Sequence, residues 1–321
     1  MHTPFLGSEA VAAGMVRKHE LRNPRGPFVA VFPDVYTDRG RAMTMHERAT
    51  AAWLWSHRQG VIAGLSAAAL HGAEYVDDTH PIELIWSNRR PPRGIVTLKG
   101  KVDDDEVIVW RGLPFTSLLR TAFDLGRRGP LDDAVARLDA LGNATRFRAE
   151  DVVAFASKRH RGARGMRQLI EALDLYDPGA ESPKETWLRL LLIRAGYPRP
   201  ATQIPVTSAD GRRQYYLDMG WEELKLAAEY DGDHHRKDPV QFAHDIVRSE
   251  DLDALRWTRI RVTKRHSADD VLTRVARAWA AAVGGGRGRG REPGRGGRRG
   301  GRRMSGRAPP PPRPRAPPPP P

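Results

Sequence analysis

The chain has 321 residues, 40% of them hydrophobic, which is enough for two domains with cores of their own. It contains no cysteine, so disulfides, thiolate zinc sites and a cysteine nucleophile are excluded. No apolar run approaches the roughly 18 to 20 residues of a membrane span, and the first residues lack the pattern of a signal peptide. We therefore expect a soluble, cytoplasmic protein with no membrane partner.

The positive charge is concentrated at the carboxyl end of the chain. The formal net charge is +14, and residues 284–321, with eleven arginines and one acid, carry +10 of it. The total charge therefore says little about nucleic-acid binding by the folded part. A tail of glycine, arginine and proline cannot build a core, so we expect it to be disordered. It is either an arm that binds polyanions such as RNA or an extension without function.

Residues 1–40 predict a small winged-helix-like segment. SEAVAAG predicts a helix with Ser8 as its N-cap and Gly14 as its end, and MVRKHELR predicts a second helix. FVAVFPDVYT predicts a strand hairpin that turns at Pro33 and Asp34.

Residues 41–178 predict a small α/β region. Helices are expected over residues 44–58 and 64–71 and over SLLRTAFDL, LDDAVARLDAL and ARGMRQLIEALDL. PIELIW and EVIVW are expected to be strands.

Residues 179–283 predict a second domain built on one sheet. SPKETWLRLLLIRAG predicts a helix with a capping box of Ser182 and Glu185, Pro183 at its first position and Gly196 as its end. Three strands (TQIPVT, RRQYYLDM, ELKLAAEYD), a helix (PVQFAHDIVRSEDLDALR), a strand (WTRIRVT) and a helix (ADDVLTRVARAWAAAV) follow. The order α-β-β-β-α-β-α predicts a mixed sheet with helices on both faces, and an α+β class for the whole chain.

A cluster of acids marks one hairpin of this second domain. Alternation along a strand points Glu229 and Asp231 the same way, and a turn at WEEL would bring Asp218 opposite Glu229, about 5 Å away between Cβ atoms. Such close like charges favour a cation between them, and Mg²⁺ (or Mn²⁺) takes carboxylate and phosphate oxygens. We expect Asp218, Glu229 and Asp231 to bind a metal, with His235 as general acid, base or further ligand. The alternative is a solvated strand end with an Asp-Gly turn.

The helix after the hairpin carries Asp245 and Arg248, which are three residues apart and share a helical face. The pair is either a surface ion pair of little energetic value or a support that holds the helix over the site.

An ordered series of residues in this domain resembles the very-short-patch-repair (Vsr) endonuclease-like domain of unknown function. The matching residues are, in order, Ser182, Glu185, Pro198, Pro200, Gln203, Asp218, Glu229, Asp231, Gly232, His235, Asp245, Arg248, Trp257, Arg261 and Val262. The resemblance covers residues 181–283.

This resemblance implies the PD-(D/E)xK, restriction-endonuclease-like fold and metal-dependent hydrolysis of phosphodiester bonds in DNA. In that superfamily the third motif ends in a lysine that positions the attacking water, and here Asp231 stands in its place. His235 is the substitute that the resemblance suggests, and Glu185 matches an acid that often joins the metal ligands. Gln203 is expected to support them. Glu185 also has a simpler explanation as the glutamate of the capping box.

Residues 1 to about 125 are similar to the AbiEi-type antitoxin and transcriptional-regulator family. The similarity is carried by the winged-helix-like segment, VFPDVYT, VIAGLSAAALHG and LPFTSLLRTAFDL. It implies binding of operator DNA, with Arg17, Lys18, His19 and Arg22 facing the DNA. The alternative is a small helical subdomain with no role in DNA binding.

Three functions follow from these patterns. The first is a metal-dependent DNA endonuclease targeted by an N-terminal DNA-binding region. The second is a toxin–antitoxin-type transcriptional regulator whose nuclease-like domain is catalytically silent. The third is an RNA-binding protein that acts through the tail.

Overall fold

The computed structural model describes residues 3–77, 79–88, 90–232 and 239–285. The chain forms two compact units, Met1–Pro178 and Gly179–Pro321. The predicted α+β class is confirmed. The tail, residues 284–321, is expected to be disordered, but almost all of it lies outside the described part of the chain.

The first unit contains two sheets and the helices that cover them. Its elements are β1 (Phe5–Leu6), α1 (Gly7–Ala12), α2 (Lys18–Arg22), β2 (Phe28–Phe32), β3 (Val35–Asp38), α3 (Met45–Trp55), β4 (Val61–Ile62), α4 (Gly64–Leu70), β5 (Ile82–Ile85), β6 (Ile95–Leu98), β7 (Val107–Trp110), β8 (Leu113–Thr116), α5 (Leu118–Gly126), α6 (Leu131–Thr145), α7 (Ala149–Arg159) and α8 (Met166–Leu175). The strand orders are β1-β3-β2 and β6-β5-β4-β8-β7. One apolar cluster joins both sheets to α3 through residues such as Val35, Leu54 and Phe115.

Several of these elements were not expected from the sequence. Strands β1 and β4 have two residues each, too few to show alternation, and β8 carries a proline, Pro114, which argues against a strand. Strand β6 and helix α7 were also not assigned. The helix buries only Val152 and Ala156, so its apolar stripe is narrow.

The start of α1 corrects the expected N-cap. Ser8 lies inside the helix, which begins at Gly7 after Leu6. Asp34, from the turn between β2 and β3, takes the capping role. Its carboxylate accepts hydrogen bonds from the Ser8 backbone N (2.9 Å) and Oγ (2.5 Å), and its carbonyl accepts one from Gly7 N (2.8 Å). A distant residue thus satisfies first-turn donors that a local cap usually satisfies.

The second unit has the predicted order of elements. They are α9 (Pro183–Arg194), β9 (Ala201–Thr207), β10 (Gln214–Trp221), β11 (Leu226–Tyr230), α10 (Pro239–Ala254), β12 (Thr258–Val262) and α11 (Ala268–Gly285). The strand order is β12-β11-β10-β9, with β11 and β12 parallel and the other neighbours antiparallel. Helices α9 and α11 pack on one side of this mixed sheet and α10 on the other.

The predicted N-cap of α9 is confirmed, but Glu185 accepts from Glu181 N, one residue before the N-cap, so the predicted capping box forms only in its Ser182 half. Ser182 Oγ accepts a hydrogen bond from Glu185 N at 3.2 Å, Pro183 occupies the first turn, and Gly196 beyond the helix end has a φ of +88°. Within the described ranges, no helix is both long and apolar enough to cross a membrane.

Candidate functional site

The hairpin of β10 and β11 has the predicted register. Met219 pairs with Ala228 and Trp221 with Leu226, so the next position places Asp218 opposite Glu229. At that position the Asp218 side chain, and not its backbone, accepts a hydrogen bond from β11: Tyr230 N donates to Asp218 Oδ2 at 2.7 Å. The carboxylate is therefore held against β11.

Strand β10 changes face at Asp218. Leu217 belongs to the apolar cluster beneath α10, whereas Met219 belongs to the cluster beneath α9 and α11. Regular alternation would place both residues on one face. Opposite Asp218, Gln203 of β9 has a φ of +48°, in the left-handed region that costs a residue with a side chain roughly 1–2 kcal/mol. Backbone strain of this kind is often found at functional sites.

Glu185 reaches the same region from the start of α9. It is 9% exposed, and its Oε1 and Oε2 accept hydrogen bonds from Ser182 Oγ (2.8 Å) and Glu181 N (2.9 Å). Burial raises the pKa of Glu185 above its usual value, against these hydrogen bonds, and the charge of Glu181 raises it further. The capping interaction thus holds a buried carboxylate at a helix N-terminus.

Asp218 has a strongly raised pKa. Burial raises the pKa of Asp218 to about 7, and the charges of Glu185 and Glu229 add to the rise. The Tyr230 N hydrogen bond and the charge of Arg248 oppose it. The carboxyl groups of Glu185 from α9 and Glu229 from β11 therefore lie close enough to Asp218 to disfavour its charged form.

Two arginines partly balance the negative charge of Glu229, whose side chain is buried with 5% exposure. Arg248 of α10 contacts Glu229 Oε1 at 2.5 Å, and Arg259 of β12 lies 3.8 Å from Oε2. Arg248 also donates to the Tyr216 carbonyl at 2.7 Å and so fastens α10 across β10 and β11. Arg248 therefore pairs with Glu229 of the candidate site, and its role as a support of that site stays a prediction. Asp245 lies one turn earlier on α10 and is half-buried.

Asp231 lies at the edge of the site. Arg261 Nη2 donates to its Oδ2 at 2.7 Å, and Asp231 N donates to the Val262 carbonyl. Its pairing with β12 places it on the face of Glu229, as the alternation predicted. Arg259 and Arg261 were not among the site residues predicted from the sequence, although Arg261 stands in the series that resembles the Vsr-like domain and alternation in WTRIRVT puts both arginines on the polar face of that strand. His235 lies outside the described residues.

Mg²⁺ is usually bound by one or two carboxylates of a protein, and Asp218 with one neighbouring acid would supply two. Among the residues that the structure describes, no three histidine, aspartate or glutamate side chains form a group suited to a metal ion. Glu229 and Asp231 are both paired with arginines. The described donors therefore form no closed protein cage, and a metal ion bound by Asp218 and one neighbouring acid stays a prediction.

The residues expected to bind DNA lie in the first unit. Lys18, His19 and Arg22 belong to α2, a helix of five residues, and Arg17 precedes it. All four side chains are exposed. Lys18 and Arg22 are four apart and share one helical face.

Comparison with known proteins finds relatives of uncharacterized function, and no protein-family model matches the chain. The chain is 32% identical over 151 residues to "Uncharacterized protein MT2308" (strain CDC 1551 / Oshkosh) and "Uncharacterized protein Rv2248" (strain ATCC 25618 / H37Rv) of Mycobacterium tuberculosis. The match covers 47% of this chain and 54% of each relative, so the chain spans about half of their length.

Among solved structures, the RV2827C protein from Mycobacterium tuberculosis matches with a TM-score of 0.37 and 17% identity. The match covers 66% of this chain and 86% of that chain. This likeness is too low to inform either fold or function, so function has to be argued from the site itself.

Proposed function

We propose that the protein is a metal-dependent DNA endonuclease whose site lies in the second unit and whose first unit binds DNA. The observation that carries the proposal is the convergence of Glu185 and Glu229 on the buried Asp218, whose pKa is raised to about 7 by burial first and then by the charges of these two glutamates. A protein gains no stability from placing three acids together in a partly buried place, whereas a cation that binds phosphate needs such a place. The resemblance of this segment to Vsr-like nucleases points the same way.

The roles of the residues follow from their contacts. Asp218 and Glu229 would hold Mg²⁺ or Mn²⁺, and the carboxylate of Glu185 would add negative charge from the start of α9. A divalent ion bound there would lower the pKa of a water molecule and stabilise charge on the scissile phosphate. Arg248 orients Glu229 and fastens α10 to the sheet. Asp231 and Arg261 form the outer edge, where a phosphate oxygen would meet a guanidinium.

The test is nicking of supercoiled plasmid with Mg²⁺ or Mn²⁺. Wild type should nick the plasmid, and Asp218→Asn and Glu229→Gln should not. Glu223→Gln is the matched control, because Glu223 is an exposed acid in the turn of the same hairpin. Equal nicking by wild type and Asp218→Asn would refute the assignment of the site.

A second candidate is a DNA-binding regulator with a catalytically silent nuclease-like unit. The observation in its favour is that Arg248, Arg259 and Arg261 already pair with Glu229 and Asp231. In this case DNA binding should be tight in EDTA, and calorimetry should detect no Mn²⁺ binding that depends on Asp218. Mn²⁺ binding that Asp218→Asn abolishes would exclude this candidate.

A further inference from the structure

A cleft in the first unit is lined by basic side chains. It has a volume of about 1070 Å³ and lies between the end of β6, the end of α5 and the start of α8. Its basic residues are Lys99, Arg127, Arg128, Arg164 and Arg167, and no carboxylate is among the described residues that line it. The cleft is therefore positive on all of these sides.

The basic residues differ in how they are held. Asp124, which is 1% exposed and lies beneath the cleft, pairs with Arg127 at 2.7 Å and with Arg128 at 3.1 Å. The same carboxylate also pairs with the buried Arg120 at 2.9 Å. Arg120 also pairs with the buried Glu106, so two acids serve three guanidinium groups, which fixes the floor of the cleft and leaves one positive charge in excess.

The other three cations stand at the rim. Lys99, Arg164 and Arg167 are exposed, and none of them forms an ion pair within the described part of the chain. Flexible cations around a rigid floor are typical of surfaces that contact a nucleic-acid backbone, because they neutralise phosphates without reading sequence.

One further feature adds positive potential. The first turn of α8 lines the cleft, and among the described residues no side chain caps this helix and no acid lies in its first turn. The dipole of such a helix favours anions at this end.

We propose that this cleft binds the phosphate backbone of duplex DNA and is the main DNA contact of the first unit. The sequence predicts that contact on and beside α2, where Lys18, His19 and Arg22 lie on a five-residue helix and Arg17 precedes it. The cleft offers more cations, a rigid floor and a concave shape. The proposal deepens the DNA-binding part of the proposed function and does not depend on cleavage.

The test compares two triple variants of the full chain. Lys99→Gln, Arg164→Gln and Arg167→Gln remove three rim cations of the cleft. Arg17→Gln, Lys18→Gln and Arg22→Gln remove the same charge from exposed positions on and beside α2. Circular dichroism checks that both variants fold.

Binding of a fluorescent 20-base-pair duplex is measured by anisotropy in EDTA at several salt concentrations. The cleft variant should bind about tenfold more weakly or worse, and its slope of log K against log salt should fall by about 2.7, since each phosphate contact contributes about 0.9. The α2 variant should keep most of the affinity and the slope.

Unchanged binding by the cleft variant would overturn the proposal. Equal losses in both variants would overturn it too, since binding would then depend only on net charge. Because EDTA excludes metal-dependent cleavage, a failure here is distinguishable from a failure of the nicking test.

Discussion

Replacing the central carboxylate of the site should stabilise the protein at neutral pH while abolishing metal binding. The pKa of Asp218 is raised from 3.8 to about 7. Each unit of pKa corresponds to about 1.4 kcal/mol, so the charged carboxylate costs the folded state about 4 kcal/mol. Asp218→Asn removes this cost and keeps an oxygen that accepts the hydrogen bond from Tyr230 N.

The sign of the pH dependence follows from the raised pKa. Protonated Asp218 favours the folded state fully below pH 3.8, and this stabilisation is lost as the pH rises through about 7. The amide does not titrate. The gap in the free energy of unfolding between variant and wild type should therefore grow from about zero near pH 4 to about 4 kcal/mol at pH 8.

Urea unfolding followed by circular dichroism between pH 5 and 8 measures this gap. Glu223→Gln, which removes an exposed acid of the same hairpin, should show no such gap. Asp218→Ala should gain less than Asp218→Asn, because it leaves Tyr230 N without its acceptor. A gap that stays constant with pH, or a variant less stable than wild type at pH 8, would refute the reasoning.

Three further outcomes are expected. Arg248→Gln should lower the free energy of unfolding at pH 8 by about 3 kcal/mol, because it leaves the buried Glu229 with Arg259, 3.8 Å away, as its remaining arginine partner. Adding Glu229→Gln should recover part of this loss in urea unfolding, and additive losses would contradict the coupling. The Mn²⁺ affinity measured by calorimetry should rise about tenfold per pH unit up to about pH 7 and then level off, because Asp218 must lose a proton to bind the ion. An affinity that does not change with pH would contradict the role of Asp218 as a ligand. Asp34→Ala should lower the stability of the first unit by about 1 to 2 kcal/mol in thermal unfolding, because α1 loses its cap. Asp34→Asn keeps an oxygen that accepts hydrogen bonds and should lose less, and equal losses for the two variants would argue against capping.

Local signals were enough where neighbours in sequence are neighbours in space. The start of α9 is determined by Ser182, Pro183 and Glu185, which lie within one turn. The register of the hairpin follows from its short turn, which brings Asp218 opposite Glu229. Both predictions depend on interactions that close small loops, so composition and spacing reveal them.

Short or irregular elements escaped the same reasoning. Strand β4 has too few residues to show a period, and its place in the sheet depends on pairing with β5 and β8. The cap of α1 comes from Asp34, twenty-six residues beyond Ser8. The change of face at Asp218 breaks the alternation from which a strand is recognised.

The sequence by itself determined the α+β class, the order of elements in the second unit and the acidic hairpin. Only the tertiary structure decided what surrounds the acids. Arg248 and Arg259 reach Glu229 from a helix and a strand that follow it in the chain, and burial together with Glu185 sets the pKa of Asp218. The physical reason is that charge balance and desolvation depend on groups brought together by packing, which no local pattern records.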